Sequence, residues 1–107
     1  MINAKKELIS KLENYDYNVE DIKCFKIRLN IFELGELNIK RDEEFSSSSE
    51  GDLLYYLDFN YNNGYGCQLI DGIILMNDGC WFEREEYDGS EWWTFRKPIT
   101  YKDVENF

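Results

Sequence analysis

The sequence predicts an α+β fold, in which one N-terminal helix packs on an antiparallel sheet of five or six strands that ends in a β-meander. Apolar residues recur at helical spacing near the N-terminus and alternate with polar residues from residue 22 onward. Asp-Gly pairs begin at residues 71, 78 and 88, and Asp-Gly between alternating runs is the strongest short-range hairpin signal. A chain of 107 residues is expected to form a single domain, 1–107.

The N-terminal helix is predicted to begin after Asn3, which can cap it, and to end at about Tyr15. Leu8 and Leu12 fall at helical spacing with Tyr15, so one face of this helix is apolar. A second cap signal, at Thr100–Asp103, predicts a short helical turn near the C-terminus.

The first strand is predicted from the alternation that starts at Ile22, with the apolar side chains at odd positions 25–31 on one side. A turn at residues 34–36 leads to a second strand that contains Leu37 and Ile39. The acid, serine and glycine content of Arg41–Asp52 is typical of a loop. Alternation resumes over Leu54–Tyr61, which predicts a further strand.

The meander is predicted over residues 73–97, with reversals at Asp78-Gly79 and Asp88-Gly89, and Pro98 ends its last strand. Two-residue turns at both pairs define two faces. The inner face, which the helix is expected to cover, carries Ile73, Leu75, Phe82, Arg84, Trp93 and Phe95. The outer face carries Ile74, Met76, Trp81, Glu83, Glu85, Trp92, Thr94 and Arg96. A three-residue turn would shift the register by one residue and exchange some of these assignments.

Arg84 is the charged residue of the inner face in this register. It faces Trp93, and a cation–π contact is expected to hold it near the edge of the sheet.

The charge is strongly acidic and unevenly distributed. The net charge is −10, and residues 42–107 hold four basic and fifteen acidic side chains. Such a field repels nucleic acid and membrane surfaces and attracts basic partners. We therefore expect no direct nucleic-acid binding and no membrane binding. The alternative is that the acidity serves solubility alone.

Several classes of chemistry are disfavoured. Without histidine there is no Ser-His-Asp triad, no Cys-His pair and no histidine-ligated metal, so we expect neither an enzyme nor a metal or other cofactor. Glu83 and Glu85 could form the carboxylate pair of a glycosidase, but a solvated strand face is favoured. The N-terminal segment lacks the apolar run of a signal peptide, and reduced cysteines and a cytoplasmic location in a bacterial host are expected.

The candidate binding residues lie where tryptophans and acids are interleaved. Tryptophan is enriched at binding hot spots, and acids steer basic partners. Alternatively, the tryptophans only cover their cross-strand neighbours. The candidates are Trp81, Glu83, Glu85, Glu86, Asp88, Glu91 and Trp92, with a second acidic patch at Asp42, Glu43 and Glu44.

Residues 78–93 carry the pattern DGxWFxRxEYDGSEWW, which is followed shortly by Pro98. This pattern resembles a signature found in small phage and prophage proteins, and the resemblance covers about a quarter of the chain. It implies an origin in a phage or another mobile element. Small acidic proteins of that origin are often inhibitors of host defence, anti-CRISPR proteins among them.

The resulting hypothesis is a phage-derived, non-enzymatic inhibitor of a host defence nucleic-acid-processing complex. Its acidic-aromatic face would bind a basic surface of that complex. One alternative is an antitoxin or immunity-type protein that neutralises a basic toxin, and another is an acidic accessory domain. Two copies could also pair through an exposed edge strand or through the tryptophan face.

Overall fold

The computed structural model describes residues 1–29, 43–47, 49–62 and 68–106, and confirms the α+β class. The helices are α1 (Ala4–Glu13), α2 (Glu50–Tyr56) and α3 (Tyr101–Glu105), with a 3₁₀ helix at Val19–Asp21. The strands are β1 (Ile2–Asn3), β2 (Ile22–Leu29), β3 (Glu43–Ser47), β4 (Asn60–Tyr61), β5 (Ile70–Met76), β6 (Trp81–Tyr87) and β7 (Ser90–Arg96).

The main sheet is antiparallel and has the strand order β3-β2-β5-β6-β7, so its last three strands form the predicted meander. A separate pair, β1 with β4, lies at the start of α1. There the Asn3 side chain accepts a hydrogen bond from the Lys6 amide at 3.0 Å, which confirms the predicted cap. The Ala4 amide donates to the Phe59 carbonyl oxygen, and this bond ties the helix to β4.

The core lies between one face of the sheet, here called the inner face, and the helices α1 and α2. Burial of apolar side chains is the main force that holds these layers together. Tyr15, just after α1, stacks on Phe95 at 4.3 Å and meets Phe82 edge-on. The expected helix-covered face of the meander is therefore confirmed for β6 and β7, which contribute Phe82, Arg84, Trp93 and Phe95 to it. The buried apolar side chains are Ala4, Leu8, Leu12, Ile22, Phe25, Ile27, Leu29, Leu53, Leu57, Phe59, Tyr61, Leu69, Ile70, Ile74, Met76, Phe82 and Trp93.

The strand expected over Leu54–Tyr61 is wrong for most of its length, because α2 occupies its first part. Ser49 caps this helix by accepting a hydrogen bond from the Asp52 amide, and Leu53 and Leu57, four residues apart, enter the core. The alternation of aromatic residues that suggested a strand leaves Tyr55 fully on the solvent side of α2. Only β4 remains of the predicted strand.

The loop expected over Arg41–Asp52 is also only partly correct. Residues 43–47 form β3, which pairs with β2 at the edge of the sheet, and α2 begins at Glu50. The strand expected around Leu37 and Ile39 lies outside the described residues.

The reversal at Asp88-Gly89 is a two-residue turn, as predicted. Both residues have positive φ angles, 52° and 87°, which is the conformation of a type I′ turn. Tyr87 pairs with Ser90, Arg84 with Trp93 and Phe82 with Phe95, so the predicted register of this hairpin is confirmed.

The reversal at Asp78-Gly79 is one residue longer than expected, and the predicted register of β5 against β6 is wrong. Met76 exchanges backbone hydrogen bonds with Gly79 and Cys80, which leaves three residues in the loop. Phe82 consequently pairs with Ile74, so Ile74 and Met76 lie on the inner face. The outer face instead receives Ile73 and Leu75.

Tertiary contacts explain the longer loop. Tyr17 donates a hydrogen bond to the Asp78 carboxylate at 2.6 Å, and the Asn77 amide donates to the Asp21 carbonyl oxygen. Only Gly79 of the three loop residues has a positive φ, as in a type I turn followed by a bulge.

The Asp71-Gly72 pair lies inside β5 rather than at a turn. Gly72 has a φ of 146°, and a Cβ built on it would lie 2.2 Å from the Lys26 carbonyl oxygen and 2.8 Å from Ile27 Cα. Glycine is therefore required here by the close approach of β2.

Replacing Gly72 with alanine is expected to lower the free energy of unfolding by about 2–4 kcal/mol, because backbone atoms must shift to admit the methyl group. Urea denaturation measures this change. The matched control is Gly51→Ala in α2, where the nearest atom to a Cβ is Ser49 Oγ at 3.7 Å, so stability should be unchanged or slightly raised. Equal stability of the Gly72→Ala variant and the native chain would contradict this account of β5.

Candidate protein-binding surface

The outer face is the side of the sheet opposite the core. Side chains alternate between the two faces along each strand, and none of the described outward side chains of β2, β5, β6 and β7 is buried. The apolar members of the outer face are Ile73, Leu75, Trp81 and Trp92.

A shallow apolar groove crosses the middle of the outer face. Trp81 pairs with Leu75, and Leu75 pairs with Cys24, so these side chains form a row across three strands. With Lys26 and Ile73 they line a depression of about 480 Å³. Ile73 is 46% exposed, an unusual position for a β-branched side chain at the centre of a sheet.

Trp92 lies toward the hairpin end of the outer face and is 38% exposed. It pairs across the strands with Glu85. Beyond it, Tyr87 is also largely exposed next to the type I′ turn. The aromatic surface therefore extends from the groove toward the tip of the β6–β7 hairpin.

The carboxylates of the outer face are paired within the face. Arg96 binds Glu83 at 3.3 Å and also forms a salt bridge with Glu85, which accepts a further hydrogen bond from Thr94. These groups are partly exposed, so each pair contributes little to stability. Their main effect is that one guanidinium offsets the charge of two carboxylates.

On β2, β5, β6 and β7, the charged side chains at paired outward positions comprise three cations and three anions. They are Lys26, Arg28, Asp71, Glu83, Glu85 and Arg96. The expected acidic-aromatic surface is therefore aromatic but close to neutral. Two of the predicted contact acids, Glu86 and Asp88, lie at the hairpin tip and are exposed.

Glu91 does not belong to the outer surface, and its expected role as an exposed contact is wrong. Its side chain points to the inner face and is buried. One carboxylate oxygen accepts hydrogen bonds from Arg84, and the two oxygens together accept from the backbone amides of Leu69 and Ile70, at 2.7 and 3.1 Å. Glu91 thereby fixes the start of β5.

Arg84 is the centre of this buried network, and the expectation that it lies near an edge is also wrong. It is only 3% exposed. Its guanidinium contacts Glu91 at 2.8 Å, Glu7 of α1 at 3.3 Å, and the Tyr61 hydroxyl. The predicted contact with Trp93 is present, with the guanidinium carbon 5.1 Å from the ring centroid.

The protonation chemistry of the network keeps Arg84 charged. Burial opposes the charge, but the attraction of Glu7 and Glu91 and the contact with Tyr61 more than offset it, so the pKa of the guanidinium is raised. Burial also raises the pKa of the Tyr61 hydroxyl, and its hydrogen bond to Glu7 adds to that rise. Tyr61 thus accepts from Arg84 and donates to Glu7.

The second acidic patch lies mostly outside the described residues, so its place relative to the aromatic surface stays a prediction. Glu43 and Glu44 lie on β3, opposite Leu29 and Arg28 of β2, at the far edge of the sheet from β7. Asp42 and the side chains of Glu43 and Glu44 lie outside the described residues.

Sequence reasoning missed Ile73, Leu75 and Arg96 as parts of the candidate surface. The first two depend on the length of the Asp78-Gly79 loop, which the sequence left open. Arg96 was placed on the outer face, and its position opposite Trp81 and two residues from Thr94 could have indicated its pairing with Glu83 and Glu85. The confirmed register of the β6–β7 hairpin also places Glu91 beside Trp93 on the inner face.

Two other features, a metal site and a membrane-spanning helix, can be checked in the part of the chain that the structure describes. It contains no group of three or more histidine, cysteine or acidic side chains placed to hold a metal ion. None of its helices is long and apolar enough to cross a membrane.

Comparison with protein-family models, curated proteins and solved structures finds no match to this chain. The outer face of the sheet is therefore the basis for proposing a function.

Replacing Glu91 with glutamine is expected to lower the free energy of unfolding by about 3 kcal/mol, because the buried Arg84 loses its closest counter-charge. The matched control is Glu86→Gln, since Glu86 is the cross-strand partner of Glu91 but is exposed. This control should change stability by less than about 0.5 kcal/mol. Urea denaturation at neutral pH compares the two, and equal effects would contradict the structural role of Glu91.

Proposed function

We propose that this protein is a non-enzymatic binding module that uses the outer face of its sheet to bind another protein. The observation that carries the proposal is the cluster of exposed Ile73 and Trp92 with partly exposed Leu75 and Trp81, on a face where none of the described outward side chains is buried. A cluster of exposed apolar side chains is typical of an interaction surface, whereas single exposed apolar residues are normal on any protein.

The composition of the surface favours a protein partner. Tryptophan is the residue most enriched at binding hot spots, and Trp81 and Trp92 lie within a rim of charged groups. The outer face itself carries balanced charge, and this balance reduces the desolvation cost of covering it. Binding is therefore expected to be led by apolar contact at the face.

Charge contributes at longer range. The charged side chains at the paired outward positions of β2, β5, β6 and β7 sum to zero, so the net charge of −10 comes from other residues of the chain. Such a field accelerates encounter with a basic surface and weakens with added salt. Asp88, exposed in the turn next to the aromatic surface, is the predicted acid best placed to contact a basic partner, whereas exposed Glu86 lies on the inner-face side of the hairpin with Glu91.

A basic protein that handles nucleic acid is the partner class that suits this field. The resemblance of residues 78–93 to small phage proteins favours a host defence complex of that class, with the module acting as its inhibitor.

The test is affinity capture from a lysate of the bacterial host, with the native chain and two variants as bait. The double variant Ile73→Ser/Trp92→Ser removes two exposed apolar groups from the outer face and is expected to lose the partner. The matched control, Tyr55→Ser, removes an aromatic group that is even more exposed, from α2 on the helical side, and should retain the partner. Mass spectrometry identifies the captured protein.

A partner that binds the double variant and the native chain equally well would contradict the outer face as the contact surface. Repeating the capture with the purified partner over a range of salt concentrations separates the contribution of apolar contact from the contribution of charge. Weaker binding at high salt is expected for a basic partner, whereas binding that is independent of salt would exclude steering by charge.

A further inference from the structure

The segment that follows β7 is apolar on its surface and lies outside the core. All residues from 97 to 106 are exposed. Ile99, Tyr101 and Val104 are exposed by 73%, 79% and 63%. Tyr101 and Val104 are three residues apart on α3 and therefore share one face of this short helix. Three exposed apolar side chains grouped in this way are typical of a surface that contacts another molecule.

The beginning of this segment directs it away from its own sheet. Lys97 precedes a proline, which favours extended backbone, and Pro98 itself has a fixed φ. Pro98 lies against the β5–β6 loop, since a Cβ at Gly79 would be 3.3 Å from its ring. Folding back across the outer face would require the chain to reverse at these two stiff residues.

We infer that residues 99–104 of one copy occupy the apolar groove on the outer face of a second copy, and that the exchange is reciprocal. Closed two-fold pairing satisfies both copies with a single type of contact. This inference rests on the proposed function, because it assigns an occupant to the same face when no target is bound.

Charge and size agree with this pairing. Lys26 is the charged residue that lines the groove, and α3 carries Lys102, Asp103 and Glu105, a net charge of −1, with Asp103 also accepting hydrogen bonds from Thr100. One tyrosine and two aliphatic side chains cover roughly 350 Å². With the groove surface included, two reciprocal contacts remove roughly 1,400 Å² from water, within the range of about 1,200–2,000 Å² for stable interfaces.

The consequence is a competition between self-association and target binding. A target that binds Ile73 and Trp81 must displace the segment of the second copy. The free protein is then a dimer whose aromatic surface is partly covered, and the bound protein is a monomer in complex with its target.

The test uses Cys24, a thiol that lines the groove and is partly exposed. In a chain with Cys67→Ser and Cys80→Ser, a Val104→Cys substitution places a second thiol on the projecting segment. Mild oxidation is expected to give a covalent dimer on a non-reducing gel, with mass spectrometry showing a Cys24 peptide joined to the residue-104 peptide. The matched control carries Tyr55→Cys instead and should give no covalent dimer on the same gel.

A residue-104 disulfide to Cys24 within a monomer would overturn the second copy as the occupant, and absence of any such bond would overturn occupancy of the groove. Sedimentation gives an independent measurement without engineered thiols. The native chain should sediment as a dimer, and Tyr101→Ser/Val104→Ser, which alters only exposed side chains, should sediment as a monomer. A monomeric native chain would also overturn the inference.

Failure of this inference and failure of the proposed function give different results. If the native chain is monomeric but captures a target through Ile73 and Trp92, only the exchange is wrong. If the chain is dimeric but captures no target through these residues, only the proposed function is wrong.

Discussion

The buried guanidinium of Arg84 is the constraint on which the rest of the structure depends. A charge taken out of water is costly unless it is paired and hydrogen-bonded, and Arg84 is almost completely buried. Glu91 and Glu7 supply the counter-charge, and Tyr61 joins them. These partners come from β7, α1 and β4, so one side chain of β6 requires all three elements to be in place at once.

This requirement sets the two faces of the sheet. A shift of one residue in the β6–β7 hairpin would place Arg84 and Glu91 on opposite faces of the sheet, so that their ion pair could not form. The network therefore selects the observed register, together with the apolar side chains around it. Because α1 and α2 contribute their buried side chains to that inner face, the aromatic side chains of the other face are left accessible. The candidate binding surface is in this sense a consequence of the buried network.

Local chemistry made parts of the fold predictable. Asn3 caps α1, and Asp88-Gly89 forms a two-residue turn, because the signals for both lie within a few residues. The same dipeptide at Asp78-Gly79 forms a longer loop, which depends on contacts with Tyr17 and Asp21 that are distant in sequence. That single extra residue decides which half of β5 faces outward, and hence whether Ile73 or Ile74 lies on the candidate surface.

Two further errors have related causes. Aromatic alternation over Leu54–Tyr61 is typical of a strand, but the Ser49 cap and the spacing of Leu53 and Leu57 favour a helix once the sheet can bury them. The prediction of an acidic surface counted Glu83, Glu85 and Glu91 as free carboxylates. Their actual roles depend on Arg96 and Arg84, since pairing decides whether a carboxylate presents charge to a partner.

The central claim is that the covered inner face leaves the outer face as the binding surface, and hydroxyl-radical footprinting of the chain with and without its captured target tests it most directly. The account predicts that oxidation of Trp92 and Ile73 falls in the complex while oxidation of Tyr55, on the helical side, is unchanged. Protection of Tyr55 with Trp92 and Ile73 unaffected would contradict it.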